Sequence, residues 1–334
     1  MKFIISASSI LWRCTCYPGH FQKHLMYSTQ KLSVHEKKLE TLFINKKVQR
    51  ILKKITSLDY DKVFSPAQAE IETTKYEFVT EKKLKELQDI STAKAYQKLE
   101  MPPVMEIREP INEVLSKDPE LQGYLKYKTV FTDISPNVSS RDRVITVREA
   151  DGTLRKATWE ERERMNQIFF PIPGRKFEMP KMFESPYLEN LLEEGSYKFV
   201  LDCACVQFEP DAPDYHRVCN QTYEHVNQKK EFDVLRSTRH FGPMAFYLAY
   251  KKNIDPLLLD MISRQLINDA VDTVKLLYIM HPELHVSKEI DGTNVIEFLK
   301  DYIKNHSSQR DDLELALQTF VEHQKSNLQK EATV

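Results

Sequence analysis

The sequence predicts a mainly α protein with a small β element: a helical N-terminal segment, a β-hairpin region, and a C-terminal array or bundle of antiparallel helices. Three observations predict it. Apolar residues recur at spacings of three and four through most of the chain, which marks helices buried on one side. Strand-like runs are confined to residues 128–157, around an Asp151-Gly152 turn. Glycine numbers only seven in 334 residues, with no two close together. A phosphate-cradling loop needs clustered glycines so that backbone amides can approach the anion, so dinucleotide folds and P-loop enzymes are poor candidates.

The pattern divides the chain into residues 1–30, a presequence; 31–125, a helical and extended N-terminal region; 126–180, a β-hairpin region with a short helix; 181–325, a C-terminal helical domain; and 326–334, a disordered tail. Residues 1–35 carry Lys2, Arg13, Lys23 and Lys31, many hydroxyls and no acid. That is the composition of a mitochondrial presequence. A secretory signal is the rival, because residues 3–11 are apolar, but no regular cysteine framework follows. The full chain has a net charge of −1, so these four cations leave the rest at −5. Contact with nucleic acid must therefore come from local patches. No apolar run is long enough to span a bilayer, which argues against an integral membrane protein.

From Glu36 to Leu58 one helix is expected, with Ile44, Val48, Ile51, Leu52, Ile55 and Leu58 as its apolar stripe. Lys46, Arg50, Lys53 and Lys54 fall on the opposite face, because each residue advances by about 100°. That face suits RNA phosphates or acidic protein neighbours, and equally a plain solvated surface. Thr80 caps a second helix that runs to about Leu99 and is ended by Pro102-Pro103. A charged linker with Pro110 and Pro119 follows. Lys128–Ile134 and Val144–Glu149 have strand character, and Thr153–Ala157 completes a hairpin across Asp151-Gly152. Thr158-Trp159-Glu160-Glu161 has the form of a capping box, so a short helix starts there and stops before Pro171. Beyond Pro186 the chain reads as successive helices. Ser185-Pro186 and Asp255-Pro256 look like starts, Gly195 a stop, and His281-Pro282 the end of the apolar stretch 257–280. Amphipathic helices follow at Asn294–Ile303 and Asp311–Phe320.

No catalytic constellation emerges. Cys203 and Cys205, with His216 and Cys219 downstream, invite a metal. Two cysteines two apart in a helix diverge by about 200°, however, and buried cysteine is common in cores. No cofactor or metal is expected. The binding candidates are basic: Arg141, Arg143, Arg148, Arg155 and Lys156 around the hairpin, Arg175 and Lys176 after Pro173-Gly174, and Arg236 with Arg239 in a helical context. Arginine offers bidentate contacts to phosphate. Salt bridging to Glu149, Asp151, Glu160, Glu161 and Glu163 is the competing use of the same side chains.

Several segments, in order, resemble a known family. They are Met101-Pro102-Pro103-Val104, Val130–Ser135, Gly152–Ala157 with Trp159-Glu160-Glu161-Arg162, Gln207–Asp211 and Leu235–Arg239. The likeness runs from about Val48 to about Phe320 and is to the mitochondrial small-ribosomal-subunit protein twenty-two family. The resemblance implies a non-catalytic scaffold imported into the mitochondrial matrix, packed against small-subunit rRNA and other small-subunit ribosomal proteins, with no small-molecule substrate. The other reading left open is a helical-repeat factor acting on mitochondrial RNA outside the ribosome.

Overall fold

The computed structural model describes residues 39–65, 76–124, 126–284 and 295–331; the presequence expected at residues 1–30 lies outside them. The first expected helix is in fact two, α1 (Leu39–Ile44) and α2 (Lys46–Thr56). Asn45 divides them. Its side chain accepts a hydrogen bond from Lys47 N at 2.9 Å and its own backbone is extended, so a short polar residue caps a new helix instead of continuing the old one. The break turns Ile44 out of the stripe, 61% exposed, and turns Phe43 in, where its ring meets Phe246 edge-on at 5.1 Å. Val48, Leu52 and Ile55 are fully buried as predicted.

A short helix α3 (Tyr60–Phe64), capped by Asp59, precedes α4 (Glu81–Lys98), capped by Thr80. The linker that follows contains a strand the sequence did not suggest, β1 (Val114–Lys117). It joins β2 (Thr129–Thr132), β3 (Ile145–Arg148) and β4 (Thr153–Lys156) in an antiparallel sheet of order β1-β4-β3-β2. Four residues between two prolines give little local signal, so β1 exists because β4 offers it an edge. Gly152 makes this possible. It sits at φ +87°, and a Cβ there would lie 2.2 Å from Asp118 O at the end of β1. One face of the sheet packs Ile145, Val147 and Val130 against Met165 of α5 (Trp159–Phe169). Both halves of the Thr158–Glu161 capping box form at the start of that helix.

The C-terminal region is built from α6 (Tyr187–Glu193), α7 (Tyr197–Gln207), α8 (Pro213–Lys229), α9 (Phe241–Tyr250), α10 (Asp255–Ser263), α11 (Ile267–Met280), α12 (Val295–His306) and α13 (Arg310–Glu331). Gly195, at φ +74°, ends α6 as expected. Ser196 N donates to Leu191 O and Gly195 N to Leu192 O, the paired bonds of a Schellman stop. Pro186 stands just before α6 instead of at its first position, and makes no cap. The last helix continues to Glu331, past the Ser326 where fraying was expected. One continuous core joins these helices. α2 belongs to it, because its buried face sits between α9 and α11. Gly242 on α9 lets Leu52 and Met101 approach closely.

Candidate nucleic-acid interface

Most of the predicted basic residues are engaged inside the molecule. Arg143 is only 2% exposed; its guanidinium donates to the carbonyls of Asp133, Ser135 and Val138 and stacks on Phe170. It holds a loop and is withdrawn from any outer surface. Arg155 chelates Glu149 and Glu161 from within the hairpin. Arg155, with Lys128 and the Thr158 N–H, holds the Glu161 carboxyl well below the usual carboxylate range, against the opposing effect of burial. Arg148 pairs with Asp118 at 2.6 Å and Lys156 with Glu113 at 2.6 Å, so both brace β1.

Arg141 and Arg175 reach outward from the β region to the turn between α7 and α8. Arg141 meets Asp211 at 2.8 Å, and Arg175 meets Glu209 at 2.8 Å and Val206 O at 3.1 Å. Arg108, unforeseen in the sequence, bridges Glu163 and Asp211 while its guanidinium lies over Trp159. These arginines lock the sheet and α5 to the helical core. Arg236 and Arg239 lie in the turn before α9 and not in a helix, since Ser237 takes φ +59°. Arg236 is buried and pairs with Asp260 at 2.9 Å; Arg239 and His240 share Asp202. Of the acids expected to compete for these cations, Glu149 and Glu161 hold only Arg155; the other paired cations are taken by acids from elsewhere, Asp118, Glu113, Asp211, Glu209, Asp260 and Asp202. Lys176 remains exposed, with its backbone fixed to the Gln207 side chain.

The α2 face behaves differently. Lys46, Arg50 and Lys53 are exposed and make no ion pair among the described residues. Lys47, missed at sequence level, shares the same arc and is equally exposed. Lys54 alone is engaged, with Asp272 of α11. Lys46 and Lys47 occupy the first turn of α2, which has no acid. Cations there oppose the helix dipole by about 0.3–1 kcal/mol each, so they do not serve the stability of the helix. Val48, Leu52 and Ile55 anchor the opposite face, so the four free cations project from a rigid support.

Comparison with known proteins fits this picture. Residues 41–282 match the family described as Mitochondrial 28S ribosomal protein S22. The chain belongs to that family. Two relatives, each named Small ribosomal subunit protein mS22, come from Mus musculus and Bos taurus. Each is 42% identical over 282 residues, covering 84% of this chain and 79% of the relative. The S22 family match takes in α2 with its free cations, the whole sheet, the arginine struts and the helical core through α11.

The described cysteines of this S22 family member, Cys203, Cys205 and Cys219, pack in or against the helical core. Cys219 on α8 is buried, and burial pushes its thiol well above the ordinary range. Cys205 on α7 lies 3.7 Å from Tyr215 Oη. Cys203 is partly buried on another side of α7, in keeping with the divergence expected two positions apart.

Proposed function

We propose that this chain is a structural component of the small subunit of the mitochondrial ribosome. In the mitochondrial matrix it contacts small-subunit rRNA and neighbouring ribosomal proteins, and so supports mitochondrial translation. Membership of the S22 family across residues 41–282 carries this reading. The α2 face supports the rRNA contact: Lys46, Lys47, Arg50 and Lys53 offer exposed positive charge with no ion-pair partner among the described residues, as contact with a phosphate backbone requires. The role asks for no cofactor, metal or small-molecule substrate.

Sucrose-gradient sedimentation of mitochondrial lysate tests the reading. Co-migration with small-subunit rRNA that survives a high-salt wash is expected. Migration as a free protein overturns it and leaves the RNA factor outside the ribosome as the reading to pursue.

A further inference from the structure

A cavity of about 80 Å³ lies between α5, the loop before β3 and the turn joining α7 to α8, and two buried guanidiniums stand at its inner side. Arg143 is 2% exposed and Arg162 8%, and neither has a carboxylate within ion-pair distance among the described residues. Buried cations are ordinarily paired. Arg143 gives its terminal nitrogens to loop carbonyls and lies over Phe170, a wall of the cavity. Arg162 lines the cavity itself. Its Nη2 donates to Arg141 O at 2.9 Å and Arg143 O at 2.7 Å, while Nε and Nη1 make no hydrogen bond among the described residues and keep accessible surface. In a residue so buried, that surface opens on the cavity. Burial lowers the Arg162 pKa, as expected of a cation without a counter-ion; Asp142 opposes the shift from beyond bonding distance, its carboxylate accepting from Ser139 Oγ.

Four arginines line the cavity, Arg108, Arg141, Arg162 and Arg175, against three acids, Glu163, Glu209 and Asp211. The acids pair with the other three arginines, so the charge left over is that of Arg162, at depth. At the opening Glu163, Glu209 and Arg141 reach solvent, two acids to one cation. Trp159, Phe170 and Ile172 supply apolar wall. The space holds roughly five water-sized groups, which is the bulk of a glutamate side chain.

We propose that this cavity takes the side-chain carboxylate of a glutamate from a neighbouring polypeptide. The carboxylate meets the Nε and Nη1 N–H groups of Arg162, and the methylenes lie along Trp159 and Ile172. One unpaired cation at depth suits a monoanion, and the acidic opening opposes the repeated charges of an RNA backbone. A chain-end carboxylate would carry a peptide N–H into the same space, where the unpartnered acceptor, Asn166 Oδ1, has almost no accessible surface to receive it. The inference goes beyond the scaffold reading and stands whether or not the neighbour is ribosomal.

Fluorescence titration of the full chain carrying Trp12→Phe tests it, since Trp159 is then the sole tryptophan. At constant ionic strength, N-acetylglutamate α-amide should give a saturable change in Trp159 emission, with a Kd about tenfold or more below that of its neutral isostere, N-acetylglutamine amide. Arg162→Gln should abolish this preference and Arg162→Lys retain part of it. Arg162 also holds two loop carbonyls, so should Arg162→Gln misfold, the two probes on the otherwise unchanged chain still decide. An equal response to both probes or no saturable response overturns the proposal. So does equal or tighter binding of N-acetylalanine, which stands for a chain end, or of dimethyl phosphate, which stands for a phosphodiester.

Discussion

Asp255 is the first residue of α10, yet its carboxylate serves another part of the chain. Oδ1 accepts from Tyr302 Oη at 2.8 Å; Oδ2 accepts from Ser307 Oγ at 3.0 Å, Ser308 N at 2.7 Å, Ser308 Oγ at 2.7 Å and Gln309 N at 3.3 Å. This single side chain, 5% exposed, fixes the turn between α12 and α13. In Asp255→Ala the hydroxyls of Tyr302 and Ser307, both buried, lose their acceptor at about 1–3 kcal/mol each. The exposed Ser308 groups recover water and lose about 1 kcal/mol between them. Relief from burying a carboxylate offsets part of this, leaving a net loss of about 3–5 kcal/mol. For a unit of this size that corresponds to a fall in melting temperature of roughly 6–15 °C. Urea denaturation and thermal melting of the purified chain measure it, and Tyr302→Phe in a double-mutant cycle should show coupling of about 1 kcal/mol or more. A loss under 1 kcal/mol for Asp255→Ala would refute the reasoning, because it would mean the turn is held by packing alone.

Reversing Lys46, Arg50 and Lys53 to Glu should leave melting unchanged but weaken association with the small subunit, lowering the salt slope of binding by about 2–3; an unchanged slope counts against phosphate contact. Glu161→Ala removes a cap and the centre of an ion-pair cluster, at about 2–4 kcal/mol by denaturation. The folded pKa of Glu161 is depressed, so its stabilising effect is complete above about pH 4.3 and fades as pH falls further; the variant should show a flatter acid limb. His240 is fully buried, which lowers its pKa although Asp202 opposes the shift. The unfolded chain therefore binds a proton first, and stability falls as pH drops below about 6.5, a decline that His240→Gln should reduce. Gly152→Ala drives a methyl into Asp118 O and strains φ, so β1 should detach from the sheet, visible as rapid amide exchange in residues 114–117.

The sequence by itself determined the helical class, the strand character of β2, β3 and β4 with the hairpin across Asp151-Gly152, the capping box at Thr158, the stop at Gly195 and the buried side of α2. All of these are local: periodicity, caps and turn residues act within a few positions and need no partner. It also placed Lys46, Arg50 and Lys53 on a face away from the core. Only the tertiary structure decided the fate of the other cations, because whether Arg141 finds Asp211 or Arg236 finds Asp260 depends on elements brought together from far along the chain. For the same reason β1 was invisible until β4 lay beside it. Asp255 gave the right kind of signal, a carboxylate at a helix start, but the helix end it satisfies belongs to a different turn. A side chain's type and period are written locally; its partner is set by the packing that buries both.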